Sequence, residues 1–170
     1  REKDGLWAVL FWLNILAETG RSVAELMDSH WTRFGRNFYT RHDYEAVDTT
    51  AANGLMDALR QDLGEMAGRT VASRTVIRAD DFSYHDPVDG SLSLGQGIRI
   101  DFDGGARVVF RLSGTGTEGA TLRVYLEDLE EDPDRVHATA ADALADVIAA
   151  AEAIAKIRER TGRDAPDVAT

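Results

Sequence analysis

The sequence predicts an α+β chain: two helices, then a unit in which an antiparallel sheet carries helices on one face. Apolar residues recur at helical spacing in the first 34 positions and again over 50–66 and 139–161. From about Thr70 the period changes from about 3.6 to 2, and Pro, Gly and Asp clusters punctuate the alternating stretches. Strands in succession beside helices, without βα alternation, point to an antiparallel sheet rather than a parallel one.

The first helix is predicted over about 4–18, where Asp4 can cap it and Gly20 can end it. Its run "LWAVLFWLNIL" is too short to span a bilayer and contains Asn14, so it predicts a buried helix. With Trp7, Leu10, Phe11, Trp12, Leu13, Ile15 and Leu16 the helix has almost no polar face and needs cover on several sides. Part of that cover is expected from residues ahead of Arg1, in a longer polypeptide from which this chain is cut.

The second helix starts at Ser22, which has capping-box spacing to Glu25, and Val23, Leu26, Met27, Trp31 and Phe34 follow at helical intervals. "GRNFYTRHDYE", residues 35–45, mixes aromatic and charged residues and is expected to be a linker. A third helix is predicted over about 50–66. "TVIRADDFSYHDPVDGS" predicts an extended segment ending in a turn at Pro87 to Gly90. "GIRIDFDGGARVVFRL" predicts a hairpin turning at about 103–105, and "ATLRVYLEDL" a further strand. The last element is an Ala-rich helix expected to run unbroken from Thr139 to about Thr161, with Asp142 early, Arg158 and Arg160 late and Gly162 beyond it.

Composition limits the chemistry. The chain has 170 residues and no cysteine, which removes disulfides and thiolate chemistry and fits a reducing cytoplasm. A formal net charge of −11 argues against a nucleic-acid binder, whose surface should be basic. No membrane span is predicted. His30, His42, His85 and His137 are widely separated, with no second ligand at metal spacing. In "DFDGG", Asp101 and Asp103 sit at the mouth of a predicted hairpin. The acidic run from Glu127 to Asp134 lacks the spacing of a calcium loop. No metal ligand is therefore assigned.

"RLSGTGTEGATLRVY", residues 111–125, is different. Val108, Phe110 and Leu112 alternate with Arg107, Val109 and Arg111, and Leu122, Val124 and Leu126 with Thr121, Arg123 and Tyr125. With the apolar sets facing the core, Arg111 and Arg123 share the opposite face. A hairpin closed around Thr117 sets them nearly across from each other, where like charges repel. An anion between them removes that cost, and Ser113, Thr115 and Thr117 with Gly114, Gly116 and Gly119 can add hydroxyls and a backbone N–H nest. The stretch is either such a cradle or a mobile glycine-rich hairpin with two incidental arginines.

The same stretch closely resembles the phosphate-binding loop in the last domain of the α-D-phosphohexomutases, in their phosphoglucomutase branch. "REKDGLWAVL" at 1–10, "GRNFYTRHDYE" at 35–45 and "DPVDGS" at 86–91 agree with that branch. The resemblance spans essentially the whole chain. It implies a third-domain remnant at 1–38, a hinge linker at 39–42 and a phosphate-binding domain at 43–170, the last with a TATA-binding-protein-like fold.

By the same resemblance, the whole enzyme interconverts glucose 1-phosphate and glucose 6-phosphate through glucose 1,6-bisphosphate in the cytoplasm. Its phosphoserine, its Mg²⁺ with three aspartate ligands and its sugar-reading loop all lie outside this segment. Arg111, Ser113, Gly114, Thr115 and Arg123 are then contacts to the phosphate that is not reacting, and Lys3 matches an active-site lysine. The implied partners are the phosphosugar and the preceding domains of the same polypeptide. Thr117 and Glu118 stand where the family often has Ser and a small residue. The competing functions are a non-catalytic module that binds phosphorylated metabolites, a mutase for another hexose phosphate, and a purely structural domain.

Overall fold

The computed structural model describes residues 4–116 and 119–170; the side chains of Thr115 and Gly116 lie outside that description. The chain divides into two compact units, Arg1–Arg36 with Glu130–His137, and Asn37–Leu129 with Ala138–Thr170.

The first unit holds α1 (Gly5–Thr19) and α2 (Val23–Phe34). Both helix starts follow from local chemistry: the Asp4 carboxylate accepts from the Trp7 N–H at 2.9 Å. Ser22 and Glu25 form a reciprocal capping box, and the Ser22 N–H beside Glu25 lowers that carboxyl's pKa. Gly20, at φ 62, ends α1 in the left-handed conformation that glycine adopts without penalty. No residue of α1 or α2 is buried, and Trp7, Leu10, Phe11 and Leu13 are all more than half exposed. The helix expected from the sequence is therefore present, but none of its residues is buried as that reading predicts.

In the second unit a seven-stranded sheet has the order β2-β3-β4-β5-β6-β1-β7. The strands are β1 (Arg36–Val47), β2 (Thr70–Val71), β3 (Arg74–His85), β4 (Leu92–Phe102), β5 (Arg107–Gly116), β6 (Gly119–Glu130) and β7 (Val168–Ala169). From β2 to β6 each neighbouring pair is antiparallel, and β7 pairs antiparallel with β1. The helices are α3 (Thr49–Met66), α4 (Ala140–Ala143), α5 (Ala145–Ala155) and α6 (Ile157–Thr161). Leu55, Met56 and Leu59 of α3 and Val147 and Ala151 of α5 join Ile98, Ile100, Val108, Phe110, Leu122 and Val124 in one buried core. Full burial of each such large side chain contributes about 1.5–3 kcal/mol. The α+β class and the strand positions beyond Thr70 match the sequence reading.

Two elements differ from expectation. Of residues 35–45, read as an irregular linker, all but Gly35 belong to β1. Their alternation is hidden because both faces carry polar residues: His42 and Tyr44 line a cavity beneath α5, while Arg41 and Asp43 lie on the other face with Arg123. The final helix is also broken, at Leu144 and at Lys156, where Lys156 takes left-handed angles of φ 51 and ψ 48. Ala155 and Ile157 are both buried, at 1% and 2% exposure, yet a straight helix would set them about 200° apart. The break lets both reach the core. No helix among the described residues is long and apolar enough to cross a membrane.

Candidate anion-binding site

The β5–β6 hairpin divides its residues by face. Val108, Phe110, Leu122, Val124 and Leu126 are buried to 1% exposure or less, so Arg107, Val109, Arg111, Arg123, Tyr125 and Glu127 emerge on the face away from the helices. Across the strands Arg107 is opposite Glu127, and its Nη2 donates to Glu127 Oε2 at 2.6 Å. Four pairs further toward the hairpin tip, on the same face, the charges match: Arg111 is the Cα partner of Arg123. Like charges in direct opposition destabilise a sheet unless something neutralises them.

Neither arginine is fully neutralised within the described residues. Arg111 has no carboxylate within ion-pair distance, and its Nη2 lies 3.5 Å from Gln96 Oε1, a contact at the limit of a hydrogen bond. Arg123 approaches one carboxylate, with Nε 3.8 Å from Asp43 Oδ2, and that buried Nε has no hydrogen-bond partner. Asp43 also accepts from Arg41 Nε through Oδ1 at 2.8 Å. Arg41 and Arg123 thus share one carboxylate while Arg111 has none among the described residues, so these four side chains together carry a net charge of +2 in an otherwise acidic chain.

Beyond Arg111 the strand changes character. The pairing shifts between Ser113 and Gly116, and Gly114 sits at φ 66 with open space where a Cβ would be. Its glycine is required by conformation rather than by crowding. Gly119, across the tip, is crowded instead: at φ +96, a Cβ there would fall 2.8 Å from the Val47 carbonyl oxygen. The end of β1 therefore buttresses the hairpin tip through close backbone contact. Along the same face runs a cavity of about 590 Å³ whose lining includes Tyr39, Phe82, Val109, Arg111 and Tyr125.

Of the residues singled out in the sequence, Arg111, Ser113, Gly114 and Arg123 are gathered at the tip half of this hairpin, with Ser113 opposite Thr121. Thr115 continues β5, its side chain being outside the description; Lys3, Thr117 and Glu118 lie outside the described residues. Asp43 was missed because it falls in the stretch read as a linker; strict alternation through 39–45 would have placed it beside Arg41. Gly97 was also missed: a Cβ there would lie 2.7 Å from Arg111 Cγ, and no local signal reports that contact.

The remaining candidates take structural roles. Asp101 lies 3.3 Å from Arg78, and Asp103 accepts from the Thr75 N–H at 3.0 Å. His42 is half-buried, and desolvation lowers its pKa. Among the described residues no group of three or more His, Asp or Glu can hold a metal ion.

Residues 36–167 match the family model "Phosphoglucomutase-1, C-terminal domain", and residues 1–34 match the alpha/beta/alpha domain III of phosphoglucomutase/phosphomannomutase. A phosphoglucomutase of Rhizobium radiobacter is 54% identical over 170 residues, and phosphoglucomutase-1 of Oryctolagus cuniculus is 47% identical over 176. Each alignment covers 100% of this chain and 31% of the relative. Parafusin from Paramecium, a solved structure described as a phosphoglucomutase, superposes with a TM-score of 0.88 at 41% identity, over 100% of this chain and 30% of that one. The chain thus spans about a third of the length of its relatives, and with residues 36–167 matched by the phosphoglucomutase C-terminal model, it belongs to the phosphoglucomutase family.

Proposed function

We propose that this chain is the phosphate-holding part of a phosphoglucomutase, in which Arg111 and Arg123, with Ser113, Gly114 and Thr115, bind the phosphate of the sugar that is not undergoing transfer. The observation that carries this reading is the cross-strand pairing of Arg111 with Arg123 beside the glycine-containing hairpin tip. A phosphate dianion matches the surplus of two charges, and guanidinium groups bind its oxygens in bidentate fashion.

The reaction of the whole polypeptide is the interconversion of glucose 1-phosphate and glucose 6-phosphate through glucose 1,6-bisphosphate. Phosphoryl transfer depends on positioning and charge stabilisation more than on new covalent chemistry. A clamp that recognises a phosphate and not the carbon bearing it holds either end of the bisphosphate, so each phosphate in turn faces the reacting centre. The chemical step itself is assigned to segments outside this chain. From the resemblance of its sequence context alone, Lys3 is proposed as an active-site lysine.

Release and reorientation of the bisphosphate require the clamp to open, and closure afterwards excludes water. We place that hinge in the 35–43 segment, at Gly35, whose φ of 78 lies at the start of β1 and outside its ladder. The cytoplasm is the expected location, as in the name of a Populus tremula relative. Steady-state kinetics of full-length Arg111→Ala test the reading: the specificity constant for glucose 1-phosphate should fall about ten- to a hundred-fold. Unchanged KM and kcat would remove it.

A further inference from the structure

We propose that Asp43 is a positioning residue of the phosphate clamp, one that aims the Arg123 guanidinium at the space beside Arg111. The inference rests on the clamp reading above and extends it to a different strand. Asp43 is 4% exposed although it carries a charge and lies on the sheet face opposite the helices. Its two carboxylate oxygens are divided between two arginines, Oδ1 accepting from Arg41 Nε and Oδ2 facing Arg123 Nε.

A guanidinium is planar: its Nε–H shares one edge with one Nη, and the two Nη groups form a second, end-on edge. With Nε turned to Asp43, the Nη fork of Arg123 is left for an anion. Asp43 is itself fixed from behind: its carbonyl oxygen accepts from the Asp167 N–H at 2.8 Å, it pairs with Val168 of β7, and Arg41 exchanges backbone hydrogen bonds with Thr170 at 2.9 and 3.1 Å. The carboxylate is therefore the reference point and the longer arginine side chain adjusts to it.

Positioning and simple electrostatics predict opposite signs. Removing a negative charge next to an anion site strengthens anion binding by Coulomb attraction alone, whereas losing the group that aims Arg123 weakens it. In the full-length enzyme, near-isosteric Asp43→Asn is expected to raise the KM for glucose 1-phosphate about tenfold, with a smaller change in kcat. Combined with Arg123→Ala it should change KM by less than about twofold, because there is nothing left to aim.

A KM below the parent's, or an equal fold-change in both backgrounds, overturns the proposal. Unchanged KM and kcat for Arg123→Ala alone overturns the clamp reading instead, so the two failures are distinct. A second measurement needs no variant: a crystal structure of the full-length enzyme with inorganic phosphate should show Arg123 keeping Nε toward Asp43 while its Nη groups meet the phosphate. An Arg123 that leaves Asp43 to reach the anion overturns the proposal.

Discussion

The backbone of Gly97 passes so close to the stem of Arg111 that a Cβ at position 97 would lie 2.7 Å from Arg111 Cγ and 2.7 Å from the Phe110 carbonyl oxygen. Gly97 also sits at φ +152, outside the range that other residues favour. The side chain of Arg111 thus crosses β4 only because that strand has no side chain there. Gly97→Ala must displace either the arginine stem or the β4–β5 ladder. The expected result is a stability loss of about 1–3 kcal/mol by urea denaturation, typical of overpacking. A several-fold rise in phosphosugar KM should accompany it. A stability loss with KM unchanged would show that the placement of Arg111 does not depend on this contact.

Lys156 offers a gain instead of a loss. Its left-handed conformation costs a side-chain-bearing residue about 1–2 kcal/mol, and its contact with Glu159, 3.8 Å at the surface, contributes little. Lys156→Gly is expected to raise stability by about 0.5–1 kcal/mol in urea denaturation, after glycine's own entropic penalty. Lys156→Ala should give no such gain, and equal behaviour of the two variants would contradict the conformational explanation.

The half-buried His42 shapes the acid limb of stability. Burial lowers its pKa in the folded chain, so on acidification the unfolded chain takes up this proton first. The contribution is intact above the unfolded value of about 6.5 and is lost as pH falls through the folded value. Glu152, Arg158 and Asp164 line the same cavity. Denaturation midpoints between about pH 7 and 5 should fall less steeply in His42→Gln than in the parent. Identical slopes would assign the acid sensitivity to other groups.

What could be read in the sequence was local. Asp4 to Trp7 and Ser22 to Glu25 are contacts over three residues, so both helix starts were legible from spacing. The opposition of Arg111 and Arg123 was legible too, because period-two alternation and a short connection determine a hairpin's faces and much of its register. Asp43 was not, since its partner Arg123 is 80 positions away and β1 joins the sheet beside a strand formed much later in the chain. The break at Lys156 follows from the burial of Ala155 and Ile157, which only the assembled core imposes. Gly97 carries no local signal in the sequence, because what constrains it is the stem of Arg111 from the neighbouring strand.

The central claim is that Arg111 and Arg123 together hold a phosphate dianion. Calorimetric titration of the full-length enzyme with glucose 1-phosphate, comparing the parent with Arg111→Ala and Arg123→Ala, tests it most directly. Each variant is expected to bind about ten- to a hundred-fold more weakly, a loss of about 1.4–2.7 kcal/mol. Dissociation constants equal to the parent's in both variants would contradict it.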